Sequence, residues 1–311
     1  MRRPPSVSPR GEGSARSLEV PGGAAGERLD RFLARALPAS LGRARALARE
    51  GRVRIRGKAC SPLRRLSGGE TVEVRLPPPR AASAGGRGGG PALAVLHDAG
   101  GVLVVDKPAG LPVEPGGPSA PGVTTLAAGL GRFDVEGRAV PGLPHRLDRD
   151  TSGCLMLARS DAALGALKAA FGRGEVEKEY LALVAGAPPD EGALDTPYGR
   201  DPRDPRRFTT RVASPRRARL RFRVERRLAG AALLRVRLET GRTHQIRVQL
   251  AEAGWPVLGD AVYGRPSPAI GRQALHAVRL AFPSPAGPRV EVSAPLPDDL
   301  RRALRALEAQ A

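Results

Sequence analysis

With 311 residues and 51 Lys+Arg against 31 Asp+Glu, a net charge of +20, the chain is long enough for a sizeable core and two domains. Its excess charge is almost all arginine, whose planar fork suits phosphate, so nucleic acid is the expected partner even allowing for the Arg, Ala, Gly and Pro that a GC-rich genome adds. No run approaches the roughly 20 apolar residues of a membrane span, no apolar N-terminal segment would drive secretion, and Cys60 and Cys154 suggest neither a disulfide framework nor a metal site, which leaves a cytoplasmic protein without membrane contact as the expectation.

Residues 1–26 are rich in Pro, Gly, Ser and Arg and are expected to be disordered. From residue 27, ERLDRFLARAL places Leu29, Phe32, Leu33 and Leu37 at helical spacing, and LGRARALAREG does the same with Leu41, Ala44 and Leu47. Beyond Gly51, VRIRG alternates, with Val53 and Ile55 pointing one way and Arg52, Arg54 and Arg56 the other, and GGETVEVRL supplies a second strand. Residues 27–76 therefore read as a small, basic α/β domain. PPPRAASAGGRGGGPA, residues 77–92, has the composition of a flexible tether.

Residues 93–311 read as one catalytic-sized domain. VLVVDK from Val102, KEYLALVAG from Lys178 and LLRVRLET from Leu233 are expected strands, and a helix is expected from Ser160 or Asp161 to a stop at Gly172. The fold class is α+β: a mixed, largely antiparallel sheet with flanking helices, preceded by the small α/β domain.

The segment HRLDRDTSG, His145 to Gly153, crowds charge into a loop between the Pro/Gly stretch at Val140–Pro144 and the apolar run that starts at Cys154. A carboxylate between Arg146 and Arg149 stays ionised at neutral pH, which makes Asp148 the first catalytic candidate. In GRTHQIRVQLAEAG, Thr243 is the expected N-cap and Gly254 the stop of a short helix that carries His244 and Arg247 on one face at a strand end. Arg247 can pair with a buried carboxylate there, or lie on the surface beside a tight turn. Tyr180, alternating with Ala182 and Val184, is a core aromatic or a ring left free for stacking. Twelve arginines between Arg200 and Arg227 face only Asp201, Asp204 and Glu225; contact with RNA is preferred over a solvated edge hairpin. Asp150, Thr151, Ser152 and Gly153 read as turn-shaping groups. His145, His244 and His276 lack the spacing of a zinc site. Asp148, Asp150 and Thr151 also approach the DxDxT of haloacid-dehalogenase-like phosphatases, but the threonine comes one residue early, no long apolar strand precedes them and the later acidic pair is missing.

The N-terminal unit, with RLDRFLA, VRIRGK and GGETVEV, resembles the small RNA-binding domain found in a ribosomal small-subunit protein and in tyrosyl-tRNA synthetases. With it, VVDKPAGLPV, HRLDRDTSG, KEYLALV, GRTHQIRVQ, LGDAVYG and LHAVRLAF occur in the order found in the RluA-type pseudouridine synthases, which isomerise particular uridines in structured RNA. The resemblance implies that Asp148 is the nucleophile, that Arg247 pairs with it and keeps it ionised, that Tyr180 stacks on the uracil, and that Arg146 helps to hold the flipped-out nucleotide. His145, Leu147, Arg149, Arg242 and His244 share these motifs and are expected to bind substrate, while Arg43, Arg45, Arg49, Arg54 and Lys58 are expected to meet RNA in the N-terminal domain. It further implies an RNA substrate, ribosomal rather than transfer RNA because members with the extra domain commonly act there, with no cofactor, no metal and a monomeric enzyme. Glu114 and Gln249 depart from the family, standing where histidine is frequent. The competing reading is a non-catalytic RNA-binding ribosome assembly factor.

Overall fold

The structure is a computed structural model, and it describes residues 15–37, 41–75, 92–115 and 121–310. The disorder expected of residues 1–14 and nearly all of the expected tether lie outside those residues. The chain separates into two compact units, and the segment Arg132–Val140 groups with the first of them although the sequence around it belongs to the second.

In the first unit the two apolar spacings produce α1 (Leu29–Ala36) and α2 (Leu41–Arg49), and the alternating stretches produce β2 (Val53–Ile55) and β4 (Thr71–Arg75). β1 (Ala15–Glu19) and β3 (Lys58–Ala59) complete a four-stranded antiparallel sheet in the order β1-β4-β2-β3. Leu29, Phe32, Leu33, Leu47, Val53, Ile55, Val72 and Val74 fill the core between helices and sheet. Residues 15–26 are not disordered. β1 pairs with β4 from Ala15↔Arg75 to Glu19↔Thr71, and Val20 and Ala24 enter the core. Local composition pointed to disorder, but the ladder with β4 satisfies the backbone of this segment from a partner some fifty residues on, a form of order that local propensity does not encode.

The second unit follows the expected alternation of strands with few helices. Its strands are β5 (Ala94–Ala99), β6 (Val102–Lys107), β7 (Ser152–Ala158), β8 (Glu177–Ala185), β9 (Glu191–Pro197), β10 (Gly199–Arg200), β11 (Phe208–Thr209), β12 (Arg217–Leu228), β13 (Ala231–Leu238), β14 (Leu275–Pro283) and β15 (Arg289–Ser293). Its helices are α3 (Val123–Ala127), α4 (Asp161–Gly172), α5 (Gln245–Glu252) and α6 (Asp298–Glu308). Nine strands form one sheet in the order β5-β6-β7-β14-β8-β13-β12-β9, with β15 added to β14. Only β7 and β14 run parallel, which makes the sheet mixed and largely antiparallel, as expected.

The charged loop ends where β7 and β14 meet in a short parallel pairing, His276↔Ser152 and Ala277↔Gly153. Gly153 has φ 107°, and a Cβ on it would stand 2.2 Å from the carbonyl oxygen of Ala277, so the TSG that ends the charged loop needs glycine for the two strands to meet. Alternation along β8 divides the sheet chemically. Glu177 and Glu179 face one way, into an array of arginines, whereas Lys178 and Tyr180 face the other, into a cleft.

Candidate active site

The charged loop is held at several points. Lys107, the last residue of β6, is buried, and its ammonium donates to the carbonyl oxygens of Pro108 (2.8 Å), Leu111 (2.8 Å) and Arg149 (2.7 Å). Burial pulls its pKa down to about 7, against the raising effect of Asp150 and Asp148 nearby. Arg272 donates to the Asp150 carbonyl (3.0 Å), and Gln273 to the Thr151 hydroxyl (3.1 Å). The Thr151 amide closes a turn on the Asp148 carbonyl (3.2 Å). These contacts fix the backbone on both sides of Asp148 and leave its carboxylate aimed into the cleft.

Arg247 comes from α5, which starts one residue later than expected. The cap position is His244, in the left-handed region at φ 57°, with no side-chain cap bond, so Thr243 is not the cap. The side chain of Gln245 folds back instead, its Oε1 accepting from the Arg242 amide (3.0 Å) and the Thr240 hydroxyl (2.7 Å), and the Tyr198 hydroxyl donates to the Thr243 carbonyl. These bonds compensate the uncommon backbone of a non-glycine residue.

The Arg247 guanidinium bridges two carboxylates. Its Nη1 donates to Asp148 Oδ2 at 2.8 Å, while Nε and Nη2 grip Asp260 in a two-point fork at 2.6 and 2.8 Å. Side-chain exposure is 6% for Arg247, 1% for Asp260 and 22% for Asp148, so the fork is buried and the catalytic candidate is the member that reaches the cleft. Asp260 is itself fixed by the amides of Val262 (2.9 Å) and Tyr263 (3.1 Å). Burial alone would lower the Arg247 pKa and raise that of Asp260, but the pairing reverses both, raising the arginine and lowering the acid. Gly259, just before Asp260, has φ 71°, and a Cβ there would meet the Arg272 carbonyl oxygen at 2.2 Å. The Tyr263 ring lies against Arg247, with the guanidinium carbon 5.2 Å from its centroid, and its hydroxyl meets His244 Nδ1 at 3.0 Å.

The cleft has a volume of about 1680 Å³, and every sequence-derived candidate of this domain lines it: Asp148, Arg247, Tyr180, Arg146, His145, Leu147, Arg149, Arg242 and His244. Their roles separate on inspection. The buried Tyr180 ring faces the cavity, and burial, with the Asp148 charge, pushes its hydroxyl pKa up, so it presents a neutral aromatic surface. Arg146 is 72% exposed at the rim, with Glu114 3.6 Å away. Arg149 donates to the Gly110 carbonyl (2.9 Å) and braces the loop. His145 accepts the Met156 amide proton on Nε2 (2.9 Å), and burial lowers its pKa to about 3, so it is a neutral ring tied to β7. Arg242 is exposed and rests on the Arg217 carbonyl (3.3 Å), and Leu147 is buried.

The first unit is a separate matter. Arg49, Arg54 and Lys58 are exposed, Arg45 is engaged by the buried Asp30 (2.8 Å), and the side chain of Arg43 lies outside the described residues. In the Arg200–Arg227 stretch most of the β12 arginines already hold a carboxylate: Arg217 with Asp195 (2.8 Å), Arg221 with Glu239 (2.8 Å), Arg227 with Asp190 (2.5 Å). This strand lies between β13 and β9 with its arginines laced to acids, and of the stretch Arg200, Phe208 and Arg219 line the cleft.

Sequence reasoning missed Asp260, Lys107 and Tyr263. A buried guanidinium has five N–H donors, more than one carboxylate can take, so Arg247 called for a second acid, and Asp260 is the one acid of LGDAVYG. Lysine at the end of the apolar strand VLVVDK was a signal of the same kind. Among the described residues no three His, Cys, Asp or Glu side chains are grouped to hold a metal, and no helix is long and apolar enough to cross a membrane.

Residues 101–252 match the family model described as RNA pseudouridylate synthase, and residues 27–72 match that of the S4 domain. An RNA pseudouridine synthase of Chloroflexus aurantiacus is 39% identical over 308 residues, covering 96% of both chains. The ribosomal large subunit pseudouridine synthase D of Xanthomonas campestris is 38% identical over 314 residues, covering 95% of this chain and 93% of that one. Among solved structures, human RNA pseudouridylate synthase domain containing 1 superposes with a TM-score of 0.56 at 25% identity, over 70% of this chain and 95% of its own. With near-full coverage by such relatives, and with an S4 domain ahead of a mixed sheet, the chain belongs to the RluA-type family of RNA pseudouridine synthases.

Proposed function

We propose that this protein converts particular uridines of large-subunit ribosomal RNA to pseudouridine, acting in the cytoplasm as a monomer without a cofactor, with Asp148 as nucleophile. The observation that carries the reading is the 2.8 Å bond between Asp148 and Arg247, two groups 99 residues apart in sequence, at the wall of a cleft that also holds the Tyr180 ring. Arg247 takes Oδ2 of Asp148, and Oδ1 accepts no hydrogen bond from any described residue, which leaves one carboxylate oxygen for the ribose.

The reaction must break N1–C1′, turn the uracil, join C5 to C1′ and remove the C5 proton. A base inside a duplex or tight loop cannot reach a recessed carboxylate, so the nucleotide is flipped out. Tyr180 then stacks on the uracil, a contact worth about 1–3 kcal/mol, and keeps the detached ring from leaving. Oδ1 of Asp148 attacks C1′ while Asp260, through its fork on Arg247, keeps the guanidinium in place. Arg146 at the rim supports the flipped nucleotide, and the exposed Arg49, Arg54 and Lys58 of the S4 domain supply phosphate contacts. The choice of ribosomal RNA is supported by the Xanthomonas relative, whose name gives the large ribosomal subunit.

The test is a pseudouridine map of ribosomal RNA from cells lacking the gene, after incubation with wild-type protein or with Asp148→Ala. Wild type adds pseudouridine at defined positions, and Asp148→Ala binds the same RNA and adds none. Identical maps would overturn the assignment: pseudouridine added by both proteins would remove Asp148 from the chemistry, and none added by either would favour an assembly factor.

A further inference from the structure

Lys178 is a cation that nothing in the fold neutralises. It precedes Tyr180 by two residues on β8, so both side chains point into the cleft, about 7 Å apart along the strand. The residue is 7% exposed, yet its Nζ makes no hydrogen bond or ion pair with any described residue. Glu177 and Glu179 flank it in sequence but face the opposite side of the sheet, where they pair with Arg279, Arg289 and Arg235. Its surroundings are the Phe171 ring, whose centroid is 5.6 Å away, the backbone of Gly241, and the neutral His145 ring. Lys107 shows what the fold does with a buried lysine of purely structural use: three carbonyl oxygens surround its ammonium. A desolvated ammonium without such partners is unfavourable, and it persists where an incoming acceptor completes it.

We infer that Lys178 is a catalytic residue that receives a carbonyl oxygen of the flipped uracil and stabilises the negative charge the base acquires when its bond to C1′ breaks. The inference rests on the proposed roles of Asp148 and Tyr180. When Asp148 Oδ1 bonds to C1′, the N1–C1′ electron pair stays with the uracil and spreads over N1, O2 and O4. The Lys178 ammonium donates hydrogen bonds to the oxygen that faces it and keeps its own proton. After the ring turns, C5 bonds to C1′, the carboxylate leaves with its electron pair, and the proton from C5 ends on N1, so atoms and charge balance without a co-reactant. Charge that develops in a recessed, water-poor pocket is where a preplaced cation acts most strongly. A phosphate is a poorer fit, because the groups placed for the backbone, Arg146 and Arg242, are exposed at the rim, whereas Lys178 lies deep beside Tyr180.

The experiment compares wild type, Lys178→Met and Lys178→Arg under single-turnover conditions, following loss of the target nucleoside, with RNA carrying either uridine or 5-fluorouridine at that position. Fluorine makes the departing base a more stable anion, so a cation that serves that anion matters less. Lys178→Met is expected to slow uridine cleavage on the order of 100-fold with RNA affinity within about twofold of wild type, and Lys178→Arg to recover part of the rate. With 5-fluorouridine the Lys178→Met deficit should fall to about tenfold or less. An equal deficit on both bases would overturn the inference, as would a loss confined to affinity together with a salt dependence reduced by about one counterion, the mark of a phosphate contact. Replacing an uncompensated charge by methionine is expected to leave the melting temperature unchanged or raised; if Lys178→Met did not fold, Lys178→Gln in the same two-base comparison would decide. An active Asp148→Ala would bring down the parent reading, whereas an inactive Asp148→Ala beside a fully active Lys178→Met would bring down this inference alone.

Discussion

Two arginine–carboxylate networks organise the second unit, one across a face of the sheet and one between α5 and the loops that carry Asp148 and Asp260, and they differ in burial rather than in chemistry. On the outer face Arg217, Arg221, Arg235 and Arg279 interlock with Asp195, Glu239, Glu225, Glu179, Glu177 and Glu291. Arg279 alone touches three acids, so losing one partner leaves others, and each of these side chains keeps about a fifth or more of its surface in water. Beside the cleft Arg247 has two acids and little water: without Asp148 the buried fork on Asp260 remains, whereas without Asp260 the guanidinium keeps only its single bond to Asp148. The outer array keeps a polar sheet face in water, while the inner clamp sets one carboxylate oxygen where a ribose can meet it.

The sharpest way to break that contrast is to cut one bond in each network. Asp260→Ala removes the two-point fork from the buried Arg247 guanidinium, leaving it only the bond to Asp148, and is expected to cost about 3–5 kcal/mol in urea unfolding and to abolish pseudouridine formation. A loss no larger than that of a surface pair would show that the clamp is not special. A second buried group carries a pH signature of its own. His276 sits at the β7–β14 pairing, its Nδ1 2.9 Å from the Ser152 hydroxyl, and burial lowers its pKa to about 4 from 6.5. Below pH 6.5 the unfolded chain takes up a proton that the folded chain refuses, so the stability this neutral ring contributes is present above pH 6.5 and drains away as pH falls toward 4. The loss is about 3 kcal/mol, and unfolding curves at pH 7 and pH 4 should show that slope flattened in His276→Gln. An unchanged slope would assign the acid sensitivity elsewhere. On the outer face, Arg221→Gln is expected to change stability by less than about 1 kcal/mol, less still at high salt. Smallest of all, EDTA should leave the modification rate unchanged; a chelator-sensitive rate would call the metal-free scheme into question.

These contrasts also explain what the sequence made legible. The helix from Asp161 to Gly172 was readable because its cap is local: the Ser160 side chain accepts from the Ala163 amide at 3.2 Å. Asp148, Tyr180 and Arg247 stood out as charges and a ring in motifs whose order matches a family, and the cleft brings them together. β1 was unreadable because its order comes from β4, far along the chain. The start of α5 was misplaced by one residue because the side chain of Gln245, not that of Thr243, satisfies the turn. Arg149 and His145 line the cleft and also hold the Gly110 carbonyl and the Met156 amide, backbone partners from other elements that the sequence does not display. The twelve arginines of the Arg200–Arg227 stretch read in sequence as an unbalanced basic run, because the acids that pair with Arg217, Arg221 and Arg227, namely Asp195, Glu239 and Asp190, lie outside it.

The most direct test of the central claim is the release of tritium from ribosomal RNA labelled at uridine C5, measured in single turnover for wild type and Asp148→Asn at equal RNA occupancy. Asparagine keeps the size of the side chain and its contact distance to Arg247 but cannot supply an anionic oxygen to C1′. The account predicts tritium release by wild type and none above background by Asp148→Asn, with RNA binding preserved. Release by Asp148→Asn at a rate near wild type would contradict it.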